Sequence, residues 1–304
     1  MRLLLALLVS APAHALALTP IQISPSAYFV RGETGLPSQA NRGHTSNAGF
    51  VITRDGVVVF DSLGTPLLGD ELLAAIRSLT RKSIRRVIVS HYHADHFYGL
   101  APFKAAGARI YAHYAAKAYL AGEAPKARLE ERSRTLAPWV PADMPLVAPD
   151  RWVTRETTFK LGGLTFRILP VGPAHTPEDL ALAVEEEGVL FAGDLMFGGR
   201  VPFVGDADSR AWIAAIDRIV ALKPRVLIGG HGDASNNAAT DLSLTRDYLA
   251  HLRKTMGDAA NDLVDFDEAY SKTDWSRFSH LPAFEAANRR NAYNTYIRIQ
   301  GGDK

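Results

Sequence analysis

The stretch that decides the fold is Arg85-Arg-Val-Ile-Val-Ser90 followed by His91-Tyr-His-Ala-Asp-His96. The first six residues are largely apolar and β-branched, which predicts a short buried strand, and the Ala-rich segment from about Phe97 predicts a helix. Three of the 10 histidines in the chain fall within the second six residues. Core packing does not explain three histidines within six residues. We therefore expect the functional site to lie in the polar loop where the strand ends.

This histidine-rich loop has the donors of a metal site. His91 and His93 are two residues apart, and such a pair can turn to the same side as a strand opens into a loop. Asp95 and His96 then begin the next turn. Neutral imidazole and carboxylate are good ligands for Zn²⁺. Four such groups exceed what one tetrahedral ion with an open position can use, which indicates a second ion.

Three further candidates follow later predicted strands, namely His175, Asp194 and His231. Each alone would more often be a hydrogen-bonded surface residue than a ligand, but their order after the first cluster favours a shared metal site. The chain has no cysteine, so neither a thiolate ligand nor a disulfide is available. Any metal must therefore be held by histidine and carboxylate.

The remaining pattern predicts an α/β (α+β) fold. Two strands around the Arg54-Asp55-Gly56 turn predict a hairpin. The other predicted elements are helices over about 67–79 and 209–222, strands over 164–169, 180–184, 189–192 and 225–228, and a helical tail from about 241. Along the chain, hairpins come first, and strands mixed with helices follow. This order indicates two sheets sandwiched by helices.

Composition limits the class of protein. The 304 residues are 47% hydrophobic and 22% charged, which is ordinary for a globular chain with one large core. A net charge of +2 without a long basic run argues against a nucleic-acid partner. We therefore expect a small-molecule substrate, and nothing in the sequence indicates an oligomeric state.

The first residues predict export. One positive charge at Arg2, a short apolar run to Val9 and two A-x-A sites over 13–17 are typical of a signal peptide over residues 1–17. We expect the mature chain to begin near Leu16 or Leu18. No later segment has the length of a membrane span. The expected location is outside the cytoplasm, in the periplasm if the source is a Gram-negative bacterium.

The ordered set H-x-H-x-D-H, strand-end His, Gly-Asp and Gly-His resembles the metallo-β-lactamase superfamily over about residues 45–235. The hairpin at 46–61 is similar to the opening strands of that family, with Asp61 at the position of its early structural aspartate. The resemblance implies a four-layer αββα sandwich. It also implies a single domain over 18–304 with a helical C-terminal extension over about 237–304.

The resemblance further implies a dinuclear centre with two Zn²⁺, iron being the alternative metal. Its first ion would be held by His91, His93 and His175, its second by Asp95, His96 and His231, with Asp194 bridging. A metal-bound hydroxide would then attack an amide, ester or thioester bond. Asp95 would also orient the hydroxide and pass a proton, which makes it the candidate catalytic residue.

Several branches of the superfamily compete for this chain. The commonest class-B β-lactamases place Cys where this chain has Asp194, so a general hydrolase is favoured over an antibiotic-resistance enzyme. A glyoxalase II-like thioester hydrolase and a mononuclear iron persulfide dioxygenase, which uses the equivalents of His91, His175 and Asp194, are the alternatives. The electron-transfer diiron branch has Glu where His93 stands, and a non-catalytic zinc carrier would not need open coordination positions. The exported metallohydrolases that accompany sulfur-oxidation or quinoprotein systems are the most similar.

Two residues outside the ligand set are candidate substrate contacts. The polar loop over 31–47 stands where a family flap would cover the substrate, and His44 lies near its end. Arg200 follows Asp194 by six residues and could hold a substrate carboxylate with two hydrogen bonds.

Overall fold

The computed structural model describes residues 18–205 and 207–302, so the predicted signal peptide lies outside it. The strands are β1 Ile21–Gln22, β2 Ala27–Val30, β3 Ala48–Thr53, β4 Gly56–Phe60, β5 Ile84–Ile88, β6 Arg109–His113, β7 Arg151–Val153, β8 Thr157–Leu161, β9 Leu164–Pro170, β10 Leu180–Val184, β11 Val189–Phe197 and β12 Val226–His231. The helices are α1 Pro66–Leu79, α2 Ala94–Phe97, α3 Leu100–Ala105, α4 Ala116–Ala121, α5 Ala124–Thr135, α6 Ser209–Ala221, α7 Ala238–Asn261, α8 Phe266–Lys272 and α9 Phe284–Gln300.

The strands form two sheets. The first has the order β1 to β7, antiparallel as far as β4 and parallel from there on. The second has the order β12-β11-β10-β9-β8, and its only parallel pair among the described residues is β11 with β12. Each parallel pair is joined through one or more helices, as parallel strands require.

Both faces of the central strands are apolar because each sheet is covered on both sides. In β10, Leu180, Leu182 and Val184 enter the core between the sheets, whereas Ala181 enters the core under the C-terminal helices. Successive side chains of a strand point to opposite faces, so this alternation assigns one face to each core. The small alanines leave room for the helices that pack there.

Three buried clusters separate four layers. The first lies between α1, α3 and the first sheet, the second between the two sheets, and the third between the second sheet and helices α6, α7 and α9. Helix, sheet, sheet and helix therefore follow one another. The expected αββα sandwich is confirmed.

The predicted helix from about Phe97 is interrupted. It forms two short helices, α2 and α3, which meet at Gly99. A Cβ on Gly99 would overlap the carbonyl oxygen of Ser62, and one on Gly69 of α1 would overlap Gly99 itself. The backbone of α1 thus approaches the break more closely than any side chain allows, which is the physical reason for the glycines.

The C-terminal helices begin at Ala238, where the side chain of Asn237 caps α7 by accepting a hydrogen bond from the Thr240 amide. Helix α7 packs on α6, α9 and β11. Among the described residues, no helix has the length and apolarity needed to cross a membrane.

Candidate metal centre

All seven predicted ligands meet at one edge of the sandwich. They fall into two groups, in each of which the ligand atoms lie within 4.8 Å of one another: His91, His93, His175 and Asp194 in the first, and Asp95, His96 and His231 in the second. These are the two groups that the family resemblance implies, with Asp194 placed in the first.

Six of the seven ligands lie near the end of a strand or at the start of a helix, and Asp194 lies within a strand. His91 and His93 follow β5, Asp95 and His96 begin α2, and His175 lies in the loop between β9 and β10. Asp194 belongs to β11, at a point where the pairing with β12 shifts register, and Gly193 just before it has φ +53°. Such an irregularity redirects a side chain, as β-bulges near active sites often do.

The carboxylate of Asp194 is shared between the two groups. Its Oδ2 lies 3.2 Å from His175 Nε2 and 3.7 Å from His91 Nε2. Its Oδ1 lies 3.2 Å from His96 Nε2 and 3.5 Å from His231 Nε2. One oxygen faces each group, which is the arrangement that a bridging carboxylate needs.

The outer nitrogens of three histidines are already engaged. The Nδ1 atoms of His91, His96 and His231 lie 2.9 Å from Ser90 Oγ, 2.9 Å from Asp61 Oδ2 and 2.7 Å from the Thr45 carbonyl oxygen. A partner on one ring nitrogen fixes the ring and leaves the other nitrogen free for a metal. In each of these rings the free atom is Nε2, which points inward.

Buried polar atoms without hydrogen-bond partners are a second reason why these residues fit a metal. His91 Nε2, His96 Nε2 and Asp194 Oδ1 are buried and have no hydrogen-bond partner in the described part of the chain. Buried polar atoms are otherwise almost always hydrogen-bonded, so these unpaired atoms, which belong to the two ligand groups, fit bound cations.

Burial prepares the first group for metal binding. It lowers the pKa of His93 to about 4 and that of His175 to about 3, so both rings are neutral at pH 7. Burial acts in the opposite sense on Asp194, but the neighbouring His96 and His231 outweigh it and hold its pKa well below the usual range. Neutral imidazole and ionised carboxylate are the forms that bind metals.

His96 behaves differently from its neighbours. Burial acts to lower its pKa, but the carboxylates of Asp194, Asp95 and Asp61 outweigh burial and raise the pKa well above the ordinary value. A cation that enters the second group therefore takes the place of a proton on His96.

A cavity of about 310 Å³ opens over the centre. His93, Asp95, His175, Asp194 and His231 line its floor. The loop over 31–47 contributes Gly35, Leu36, Pro37 and Thr45 to its wall, so this loop does lie beside the metal centre.

The two predicted substrate contacts differ in position. Arg200 lines the cavity, is only 4% exposed and donates from Nη1 to the Gly35 carbonyl oxygen at 3.3 Å. His44 is not among the lining residues, and burial together with Arg42 lowers its pKa to about 4. The structure therefore places Arg200 where a substrate can reach it and does not bring His44 to the cavity wall.

Sequence reasoning missed several supporting residues. Asn47 donates from Nδ2 to the carbonyl oxygens of Gly229 and Gly232, at 2.9 Å each, and so ties the loop over 31–47 to the end of β12 that carries His231. Ser46 Oγ donates to the carbonyl oxygen of Asp95. No local pattern marks such residues, because their partners lie far along the chain.

Gly230 offers a test of the bridging geometry. A Cβ at this position would overlap Asp194 Oδ1. We expect Gly230→Ala to leave the protein folded but to displace the carboxylate, with metal affinity reduced roughly 10- to 100-fold, as for other changes beside metal ligands. Gly122→Ala is the matched control, because its Cβ would meet nothing nearer than 3.4 Å. Equal metal affinity in both variants, measured by competition with a chelator, would contradict the geometry.

The four layers and the seven converging side chains define a metal-binding protein of αββα architecture. The sequence model of the metallo-beta-lactamase superfamily matches residues 41–231. The chain belongs to that superfamily, which includes metal-dependent hydrolases.

Similar proteins act on different bonds. The chain is 22% identical over 233 residues to the linear primary-alkylsulfatase of Pseudomonas sp. (strain ATCC 19151), with 65% of this chain and 44% of that protein covered. It is 24% identical to the metallo-beta-lactamase type 2 of Elizabethkingia meningoseptica, over 66% of this chain and 74% of the other. Hydroxyacylglutathione hydrolase GloC of Haemophilus influenzae is 26% identical, over 39% and 53% respectively.

Solved structures show the same fold. The inverting sec-alkylsulfatase Pisa1 from Pseudomonas sp. superposes with a TM-score of 0.72 at 20% identity, over 94% of this chain and 50% of that one. A metallo-beta-lactamase from Pontibacter korlensis superposes with a TM-score of 0.60 at 23% identity, over 77% and 99%. The chain thus spans half or less of the length of the alkylsulfatases that it matches.

Proposed function

We propose that this protein is an exported dinuclear zinc hydrolase that cleaves an amide, ester or thioester bond in a small molecule. The observation that supports it best is the division of Asp194 between the two groups, with Oδ2 toward His91 and His175 and Oδ1 toward His96 and His231. A carboxylate so placed would hold two ions and partly offset their mutual repulsion.

The chain's own residues would set up the reaction. Bound divalent cations supply Lewis acidity, which lowers the pKa of water to about 7 and stabilises developing negative charge. Asp95 is the one ligand carboxylate with appreciable exposure, 23% of its side chain, and its Oδ2 lies 3.6 Å from both His96 Nε2 and His231 Nε2. From there it can orient an attacking water and accept a proton on a carboxylate oxygen.

The persulfide dioxygenase alternative needs only one iron with His91, His175 and Asp194. In such an enzyme the second group, Asp95, His96 and His231, would bind no metal. Yet His96 and His231 each have an engaged Nδ1, on Asp61 and on the Thr45 carbonyl, and a free inward Nε2. This complete second group favours the dinuclear hydrolase.

Sulfate-ester hydrolysis is a second candidate. Arg200 lines the cavity, and its Nε is buried without a hydrogen-bond partner in the described part of the chain. A guanidinium with a free N–H suits a sulfate or a carboxylate. The names of the similar alkylsulfatases agree with this candidate.

Export belongs to the same proposal. N-terminal sequencing of protein recovered from the extracytoplasmic fraction should show a start near Leu16 or Leu18, because of the two A-x-A sites over 13–17. Recovery of the exported form with Met1 intact would contradict it.

A substrate panel tests the reaction itself. Zinc-loaded protein should hydrolyse at least one of a lactam, lactone, thioester or sulfate ester, and a chelator should abolish that activity. His93→Ala should remove most of it, since His93 Nδ1 lies 2.9 Å from His175 Nε2 at the first group. Consumption of a persulfide by the iron-loaded protein, with little loss in the His93→Ala variant, would favour the dioxygenase instead.

A further inference from the structure

Arginines surround the upper part of the cavity. Arg128 and Arg132 come from α5, Arg290 comes from α9, and Arg200 follows β11. Positions four apart on a helix share one face, so the first two project to the same side of α5. The carboxylate of Glu131 is the one acidic group on this upper wall among the described lining residues.

Two of these arginines already have partners within the chain. Arg128 Nη1 lies 2.7 Å from Glu131 Oε2, so that this pair is close to neutral. Arg200 Nη1 donates to the Gly35 carbonyl oxygen at 3.3 Å. Neither the side chain of Arg132 nor that of Arg290 has a hydrogen bond or ion pair with any residue that the structure describes. These two guanidinium groups are available to a ligand.

The cavity that the arginines line also has apolar residues in its wall. Leu36 and Phe203 line the same cavity and are 46% and 37% exposed. The other apolar residues of the lining are Pro37, Ala94, Phe197 and Ala286. A cavity with cationic and apolar walls above a metal centre fits a molecule that carries a negative charge on an apolar body.

We propose that Arg132 and Arg290 bind an oxyanion of the substrate, a carboxylate or a sulfate, while Leu36 and Phe203 contact its apolar body. This inference rests on the proposed hydrolase function, for which it names the substrate class. Arginine suits the role because its planar fork donates two parallel hydrogen bonds to such a group. Helices α5 and α9, from distant parts of the chain, then act together in recognition.

Two esters of equal length test the inference. 4-Nitrophenyl 4-methylbenzoate is neutral, whereas mono-4-nitrophenyl terephthalate has the same leaving group and a carboxylate in place of the methyl group, too far from the ester to attack it. Hydrogen bonds to charged groups contribute about 1.5–3 kcal/mol, so we expect the anionic ester to have a kcat/KM about 10-fold higher or more. 4-Nitrophenyl sulfate is the third substrate, and its preferential cleavage, with a KM that rises when both arginines are replaced, would identify sulfate as the oxyanion.

The double variant Arg132→Met and Arg290→Met should remove the preference, because the KM for the anionic ester should rise about 10-fold or more. Arg134→Met and Arg289→Met are matched controls on the same two helices. Their guanidinium groups pair with Glu130 and Asp267 and do not line the cavity. Both controls should keep the preference.

Equal efficiency with the neutral and anionic esters, or a preference that survives in the double variant, would overturn the inference. If none of the three compounds is hydrolysed, the failure concerns the proposed function. Calorimetric titration with succinate and with inorganic sulfate then decides the inference. Binding that is weakened about 10-fold in the double variant supports it, and equal binding to wild type and double variant overturns it.

Discussion

Replacing Asp194 with alanine should remove bound metal and activity together. Each of its carboxylate oxygens lies 3.2–3.7 Å from histidine nitrogens of one group. Without this carboxylate, no negative charge would lie between the two bound cations to offset their mutual repulsion. We expect fewer than two ions per chain and a kcat/KM reduced by more than about 100-fold. Replacing a residue that only hydrogen-bonds to a metal ligand costs up to about 100-fold, and loss of a ligand itself should cost more. Metal analysis and the most active substrate of the panel provide the measurement.

Asp217→Ala is the control for this change, because Asp217 is a surface partner of Arg246, half exposed, and such pairs contribute little. Asp194→Cys is the sharper comparison. A thiolate binds one ion well but is a poor bridge, so this variant should keep one ion without becoming an efficient lactam hydrolase. Two tightly held ions and full activity in Asp194→Ala would show that Asp194 does not bridge.

Asp61→Ala should cost both stability and metal. Asp61 is 1% exposed and accepts hydrogen bonds from the Ser90 amide and hydroxyl, each at 2.7 Å, and lies 2.9 Å from His96 Nδ1. Alanine would leave buried donors unpaired, at about 1–3 kcal/mol each. We therefore expect the free energy of unfolding, measured in a chelator so that metal does not contribute, to fall by roughly 3 kcal/mol or more.

In the same variant His96 loses the partner that orients its ring, so metal affinity should also fall, by about 10- to 100-fold. Asp61→Asn separates the effects. Asp61 has φ +62°, a conformation that Asn and Asp tolerate better than alanine, and the amide retains one acceptor. Asn should therefore keep much of the stability while still weakening metal binding. Unchanged stability in Asp61→Ala would contradict the role given to this carboxylate.

The predicted ligands are the part of the centre that the sequence describes well. His91, His93 and His96 stand together in six residues, and each of the later ligands follows an apolar run that predicts a strand. Local pattern marks the first cluster as a metal site, whereas the three later ligands are identified only by their order along the chain and by the family resemblance. The layered fold follows from the same strands, since runs apolar on both faces need a cover on each side.

The supporting contacts could not be found in this way. Asn47 reaches Gly229 across 182 positions, and His231 reaches the Thr45 carbonyl across 186. The residues of the cavity wall also come from distant parts of the chain, because Arg132 lies on α5 and Arg290 on α9, and the two line one cavity only in the folded protein. The edge strands β1 and β7 have two and three residues, too few for their alternation to predict them.

If two zinc ions share Asp194, elemental analysis of protein purified from its native compartment should find two zinc atoms per chain. This number should fall to one or none in Asp194→Ala and remain at two in Asp217→Ala. A single tightly bound iron per chain, with no zinc and with the same content in a His96→Ala variant, would contradict this expectation.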